Sequence, residues 1–527
     1  MDILGLIDIP IWAVILTMMC SLYYFYSTAN FGVFEKIGVK GPKPWPVVGN
    51  LHEYMKMGFV KTEMGFFKKY GRIFGIHEGR FPVLVIADLD MLKKVTVKEF
   101  NNFTNRRTLG VGDRDNPPNS QFLINLSDDA WRHNRNTLTP TFSGGKLKQM
   151  SGLICKAVDS LVKVLETKAA NKEPVDIRQY TGAYTMSVIA STGFGIDLDA
   201  QGALHDSPFV TNANKFFEIS IFKPIFLILL LLPCVTPLLE ILKISLLPSD
   251  AVDYFRKVLS QALEERRKNP GKFNDFLELM ITAEKQAQSC VVDDDDAGDT
   301  KDDTVNLNGP WVDKRKGKGL TNSEILAAAI TFFSAGYETT ATTLAHALYF
   351  LALNPDCQDR LVSAIDEHFP DGKSPSYETV NNLPYLEMVI TETLRMIPPA
   401  GRMDRVCKRD TQINGQFIPA GITVGIPVYL IHHDPDIWPD PETFDPQRFS
   451  PENKMAHHPL QWIPFGYGPR NCIGMRLANF VIKMALVRLL QTYKFVPNSK
   501  TVPLDLGTTA FLADKKNGVW VTVEKRQ

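Results

Sequence analysis

Three long apolar runs organise the chain, and they differ in how they are interrupted. Ile9 to Phe34 carries no charge and includes IPIWAVILTMMCSLYYFY, long enough to span a bilayer as one helix. Lys223 to Pro248, KPIFLILLLLPCVTPLLEILKISLLP, is as apolar but broken by Pro224, Pro233 and Pro237, so it predicts either an interfacial segment or a buried one. The third run, TNSEILAAAITFFSAGYETTATTLAHALYFLALNP, predicts a single long helix. Thr321 and Glu324 have capping-box spacing at its start, and Pro355 marks its end. Apolar on nearly all sides, it should run through the interior. Further helices are predicted over PYLEMVITETLRMIPP and MRLANFVIKMALVRLLQTY, and a short β-rich piece over IFGIHEGRFPVLVIAD. No internal repeat is visible. The expected fold is mainly α (α+β), a large helical domain with a smaller β-rich region behind an N-terminal transmembrane anchor.

The polar punctuation divides this chain into an anchor (1–34), a proline-rich hinge (35–50) and a body (51–527). Before the first run stand Asp2 and Asp8 and no Lys or Arg, whereas Lys36, Lys40 and Lys43 follow it. This predicts a retained anchor rather than a cleaved signal, with the body on the cytosolic side. In the hinge, GPKPWPVVGN, the prolines forbid helix. Within the body, residues 291–319 place an acidic block before a basic one and offer little to bury, which predicts an exposed loop insertion.

Composition adds exclusions. The chain has 527 residues, and Lys plus Arg equals Asp plus Glu at 58 each, so no overall charge favours nucleic acid. Its 7 cysteines are odd in number and widely spaced, the pattern of reduced, mostly buried thiols. No C-x-x-C or H-E-x-x-H occurs to support zinc. His432, His433, His457 and His458 lie in proline-rich sequence and read as surface residues.

The candidate chemistry lies in three short stretches. In AGYETT, Ala335 to Thr340, an acid and two hydroxyls interrupt a helix expected to be buried. Thr339 either bonds back to a carbonyl one turn earlier or, with Glu338, hands protons to something bound where Gly336 opens the helix. In PYLEMVITETLRMIPP, Glu392 and Arg395 stand at i, i+3 in an apolar setting that predicts a buried pair, although Glu264 and Arg267 show the same spacing in a charge-rich helix. In FGYGPRNCIG, Phe465 to Gly474, one cysteine is bracketed by glycines and an arginine. A thiolate bonded to iron explains that setting. Gly466, Gly468 and Gly474 permit tight turns and close approach to a flat cofactor, and Cys472 would lie at a helix N-terminus, where a negative sulfur is favoured. Arg470 would sit beside the cofactor's carboxylates. A Cys–His catalytic pair would leave the glycines and Arg470 unexplained.

FGYGPRNCIG resembles the haem-binding signature F-x-x-G-x-R-x-C-x-G of the cytochrome P-450 monooxygenases at every fixed position, with Phe465 first and Cys472 as the implied axial ligand. The resemblance extends along the chain. AGYETT is similar to the family's oxygen-activation segment, with Glu338 and Thr339 the implied proton-delivery pair, and ETLR to its structural E-x-x-R pair. Trp131 and Arg135 in WRHNR match a W-x-x-x-R pair that contacts a haem propionate, and Arg106 and Arg405 resemble further propionate partners. FDPQRF departs from the usual P-E-R-F by placing Gln447 before Arg448, which puts the pairing of Arg448 in question. Within the family the likeness is greatest to the microsomal family 3 enzymes, through AGYETT, RVCKRD, INGQFIPAG and FGYGPRNCIGMRLA.

This resemblance implies a haem b cofactor and insertion of one atom of O2 into a lipophilic substrate such as a steroid, fatty acid or xenobiotic, the thiolate favouring O–O cleavage. No G-x-G-x-x-G follows a strand, so electrons should come from NADPH through a separate NADPH-cytochrome P-450 reductase, with cytochrome b5 as accessory donor, on the endoplasmic reticulum membrane. Arg132, Lys146 and Lys148 are candidates for a basic docking face. Substrate contacts are expected from Thr108 to Phe122, Phe217 to Leu232, Ala335 and Thr339, and Ala400 to Met403. The rival readings are a haem-thiolate isomerase or dehydratase acting on a peroxide, as the related thromboxane synthase does, and a non-catalytic haem sensor. Retention of Glu338 and Thr339 favours the monooxygenase.

Overall fold

The computed structural model describes residues 10–108, 119–198, 208–217, 224–242, 248–273, 275–289, 319–506 and 517–526. The charged insertion, up to residue 318, lies outside them, as do residues 109–118 and 218–223 of the expected substrate-contact regions.

The first apolar run folds as α1 (Ile11–Thr28), which turns Ile11, Trp12, Leu22 and Phe25 outward. Among the described residues it belongs to the one helix long and apolar enough to cross a membrane. Its C-terminal end is fixed to the body. The Tyr23 hydroxyl donates to Leu231 O at 2.9 Å, and Arg80 Nη1 donates to the Tyr26 hydroxyl at 3.0 Å.

Through Leu231, α1 meets the second apolar run, whose prolines break it into the helices Pro224–Leu231 and Thr236–Ile241. Leu229, Leu230 and Leu239 are buried, but Leu238, Ile241 and Leu242 face outward. Plain core burial is thereby excluded for Leu238, Ile241 and Leu242. Apolar side chains exposed beside an anchor helix suit an interfacial position.

The proline-rich stretch is extended and lies along β1 (Ile73–Glu78). Gly75 N donates to Lys40 O and Asn50 N to His77 O, and a Cβ on Gly41 would come within 2.0 Å of Gly75 O. The β-rich piece is the expected hairpin, β1 with β2 (Phe81–Ile86). A second sheet begins at β3 (Pro174–Asp176). β4 (Met403–Val406) and β5 (Thr423–Ile426) complete the first sheet in the order β1-β2-β5-β4, with β2 and β5 parallel. β6 (Tyr493–Val496) and β7 (Trp520–Lys525) complete the second as β3-β7-β6.

The body is otherwise helical. The helices that build the site are α2 (Asp128–Leu138), α3 (Ile177–Phe194), α4 (Asn322–Leu353), α5 (Pro384–Met396) and α6 (Met475–Thr492). α4 starts on the predicted capping box, with Thr321 Oγ1 accepting from Glu324 N and the Glu324 carboxylate accepting from Thr321 N. It is unbroken through Ala335–Thr340, so Gly336 does not open it. Gly336 instead lets α3 approach: a Cβ there would lie 2.7 Å from Ile189 Cδ1. The described cysteines are all free, but only Cys407 is buried. The expectation of mostly buried thiols fails because Cys20 lies on the outward surface of α1, Cys234 in the exposed apolar run and Cys472 against a cavity.

Candidate active site

The segment Phe465–Gly474 is folded by short-range constraints. Cys472 N donates to Phe465 O at 2.7 Å, closing a loop that puts the cysteine just before α6. Gly466 and Gly468 both take positive φ, at 76° and 77°. A side chain on Gly468 would also meet Thr96 O at 2.2 Å. Gly474 needs no positive φ and has open space where a Cβ would be. It lines the cavity that Cys472 faces.

That cavity, together with the open space at its mouth, spans about 850 Å³. α4 contributes Ala335, Gly336 and Thr339 to it, α3 contributes Val188 and Ile189, and Cys472 and Leu477 stand opposite. Sulfur and threonine, far apart in sequence, thus share one apolar chamber. Cys472 is enclosed by protein yet accessible from the cavity. Burial pushes its thiol up, while the backbone N–H of Gly474, Arg135 and Arg106 pull it down.

Around the sulfur stand the predicted arginines. Arg135 on α2 donates from Nη1 to Asn471 O at 2.9 Å and from Nη2 to Asn471 Oδ1 at 2.8 Å. Arg470 donates to Ile124 O and Leu126 O and stacks its guanidinium 4.6 Å from the centre of the Trp131 ring. Arg405 on β4 is 1% exposed and donates to Asp404 O. In Arg106, Arg135, Arg405 and Arg470 alike the buried Nε has no hydrogen-bonding partner. Burial, with repulsion from Arg106, lowers Arg405 to about 9, and burial with repulsion from Arg106 and Arg405 lowers Arg470 to about 8. Asp404 offsets only part of the repulsion among these crowded cations, which form a site suited to an anionic guest. A flat macrocycle carrying two carboxylates and an iron for Cys472 fits this donor set.

Glu338 is not among the residues lining the cavity; its carboxylate is ion-paired with Arg178 of α3. The Thr339 hydroxyl donates to Ala335 O at 2.7 Å, the back-bond allowed from sequence. Its proton is thereby committed to the helix, which leaves the oxygen to accept from the cavity. Ala335 lines the cavity, whereas Ala400 and Met403 are not among its lining residues; Met403 opens β4, and a Cβ on Gly466 would meet its Sδ at 3.3 Å.

Behind the cysteine loop, Glu392 and Arg395 are both fully buried. Arg395 Nε donates to Glu392 Oε2 at 2.7 Å and Nη2 to Oε1 at 2.9 Å. Arg395 also holds His432 O, and Glu392 accepts from Asp445 N. Arg448 Nε stands 3.5 Å from Glu392 Oε1, so Gln447 has not displaced it from the pair. His432 and His433 are buried, contrary to the surface reading, because the short helix Val428–His432 is drawn inward by Arg395. His432 Nε2 accepts from Ile463 N at 3.0 Å and so connects the ion pair to the cysteine loop. Burial holds both imidazoles neutral, His433 at about 3. His432 was read only as a surface residue, and Arg178 and Asn471 were not singled out from sequence; their partners lie tens to hundreds of residues away.

The sequence model of the family described as Cytochrome P450 matches residues 39–521. The chain belongs to the cytochrome P450 family. Among its relatives are "Cytochrome P450 3A12" of Canis lupus familiaris, 41% identical over 98% of this chain and 97% of the relative, and "Cytochrome P450 3A41" of Mus musculus, 39% identical over the same shares. "Cytochrome P450 3A2" of Rattus norvegicus is 40% identical over those shares too. As a cytochrome P450, the chain is a haem-thiolate monooxygenase that takes electrons originating from NADPH through a redox partner and inserts one atom of O2 into lipophilic substrates.

Proposed function

We propose that Cys472 would supply the thiolate ligand of the haem iron, that Arg106, Trp131, Arg135, Arg405 and Arg470 would hold its propionates, and that Phe465 would pack beside it. The observation that carries this reading is the convergence of buried guanidinium groups with unpartnered Nε atoms around one sulfur. When bound, the haem supplies oxygen activation and the oxidising power for insertion.

The chain's own residues bind, exclude water and deliver protons. The chamber beside Cys472 is walled by Leu477, Ile189, Ala335 and other apolar groups, a lining that favours lipophilic substrates. The Thr339 oxygen accepts a hydrogen bond from the cavity side and fixes the last donor of a proton chain. Glu338 supplies that chain, and to do so its carboxylate turns away from Arg178. Glu392, Arg395 and His432 hold the cysteine loop in register.

The anchor 1–34 places the body (51–527) on the cytosolic face of the endoplasmic reticulum, with the outward-facing Leu238, Ile241 and Leu242 dipping into the same membrane. Electrons arrive from NADPH-cytochrome P450 reductase, with cytochrome b5 as accessory. Of the basic candidates, Lys148 is paired with Glu378 and Arg132 with Asp129, which leaves Lys146 as the docking charge these contacts do not engage.

The test is the carbon monoxide difference spectrum of the dithionite-reduced protein beside that of Cys472→Ala. A strongly red-shifted Soret band, lost in the variant, is expected. A band at the position of histidine-ligated haem in folded protein would overturn the ligand assignment. NADPH consumption with reductase, set against turnover of an organic peroxide alone, separates monooxygenase from isomerase.

A further inference from the structure

Helix α4 carries a polar stripe that the proton-delivery pair does not account for. Glu338, Thr342 and His346 follow one another at i, i+4 and i+8, so they share a face and span about 12 Å along the helix. Thr342 is 1% exposed and His346 fully buried. Neither nitrogen of the His346 ring, nor Thr342 Oγ1, has a hydrogen-bonding partner. Other threonines of the same helix behave differently: Thr331, Thr339 and Thr343 each donate to the carbonyl one turn back. Thr342 makes no such bond.

Unpartnered polar atoms in a helix this deeply buried are costly, and a leucine or phenylalanine would serve packing better. Internal water is the usual remedy, each molecule satisfying about three such groups. A neutral imidazole offers one donor and one acceptor, and a threonine hydroxyl offers both, so a water between them can be fully bonded. Arg178 links the two ends of the stripe. It is the ion-pair partner of Glu338, and with burial its charge lowers His346 to about 3, which fixes the ring as neutral.

We infer that His346 and Thr342 hold a short file of internal water against the Glu338 carboxylate, making His346 a positioning residue for proton delivery. The file gives Glu338 a second place to bond when it leaves Arg178. This rests on the role proposed for Glu338 above.

The test compares haem-loaded, full-length parent with His346→Phe, Thr342→Val and their combination, and with His346→Gln, which keeps a donor and an acceptor. The first readout is the thermal unfolding midpoint. Removing groups that lack partners raises it or leaves it unchanged, whereas breaking a water file lowers it by about 2 °C. Expected are a lower midpoint in both single variants, a double variant no worse than the poorer single, and recovery in His346→Gln. The second readout is the share of NADPH-derived electrons released as hydrogen peroxide with reductase and progesterone as the lipophilic probe. It should rise several-fold in His346→Phe and return towards parent in His346→Gln, with the carbon monoxide spectrum unchanged. Midpoints at or above the parent overturn the file. Lower midpoints with an unchanged peroxide share overturn its action on Glu338. The unfolding readout does not depend on thiolate ligation, so failure of the haem reading would appear separately, in the parent's spectrum.

Discussion

Arg135 grips Asn471 with two hydrogen bonds, one to its backbone carbonyl and one to its side-chain oxygen, and Asn471 is the residue before Cys472. One guanidinium therefore fixes the peptide that presents the sulfur, while its buried Nε has no hydrogen-bonding partner. Replacing Arg135 with Met keeps most of the length and removes both bonds. Two bonds to a charged donor contribute about 1.5–3 kcal/mol each, partly offset by relief of burying the charge. Haem affinity is expected to fall by about tenfold, read as haem bound per protein at limiting haem.

Glu392 and Arg395 allow a cleaner contrast, because the same spacing recurs at Glu264 and Arg267 in a different environment. Glu264 is exposed and pairs with Lys268, while Arg267 bonds Asn322. Glu392 is fully buried against Arg395. Removing the charge from Glu392 strands a cation in the core, so Glu392→Gln should cost about 3–5 kcal/mol in denaturant unfolding. Glu264→Gln should cost within about 0.5 kcal/mol. Arg395→Lys should not preserve stability, since an ammonium cannot make the forked contact and also reach His432 O.

How legible all this was depends on the range of the forces involved. Helix α4 could be read because its cap, its apolar periodicity and its terminating proline are local, and the Cys472 loop because its left-handed glycines and the bond from Cys472 N to Phe465 O lie within one short stretch. His432 and His433 were misread because burial is a tertiary property: the surrounding prolines speak of loop, and only Arg395 and Ile463 draw the helix inward. Arg178 left no local sign at all. Its partner Glu338 is 160 residues away, and nothing around IRQY distinguishes it from a surface arginine. Gly336 was read as opening the helix, but the helix is unbroken there and what the missing side chain admits is Ile189.

The Thr339 hydroxyl, bonded to Ala335 O, makes a prediction that separates chemistry from stability. A threonine satisfied by its own helix adds little to folding, so Thr339→Ala should move the unfolding midpoint by no more than about 1 °C. The acceptor at the cavity is lost with it. Electrons from NADPH should then leave as hydrogen peroxide at several times the parent rate, and Thr339→Ser should restore coupling. A Thr339→Ala protein that stays fully coupled would remove Thr339 from the proton chain.

The outward-facing Leu238, Ile241 and Leu242 predict that membrane association does not end with the anchor. A protein lacking residues 1–34 should still sediment with phospholipid vesicles at high salt, since apolar burial is not screened. Ile241→Asp with Leu242→Asp in that background should release it.

The last prediction concerns acid. Arg402 joins two carboxylates below the first sheet, donating from Nη1 to Glu63 at 2.6 Å and from Nη2 to Glu78, while Arg107 donates to Glu78 at 2.5 Å. Burial alone would raise Glu78; Arg402 and Arg107 outweigh it and hold the carboxyl at about 2 against an ordinary 4.5. Its folded value lies below its unfolded one. The stability it contributes is therefore present above pH 4.5 and lost as pH falls towards 2. A displacement of that size corresponds to about 3 kcal/mol. Glu63 shifts the other way, raised by burial, so its linkage has the opposite sign. Glu78→Gln should lower stability at neutral pH and flatten the loss on acidification. Glu63→Gln should steepen it. Denaturant unfolding at several pH values between about 6 and 3 reads both slopes, and equal slopes in the two variants would mean that the Arg402 cluster does not set the acid limit.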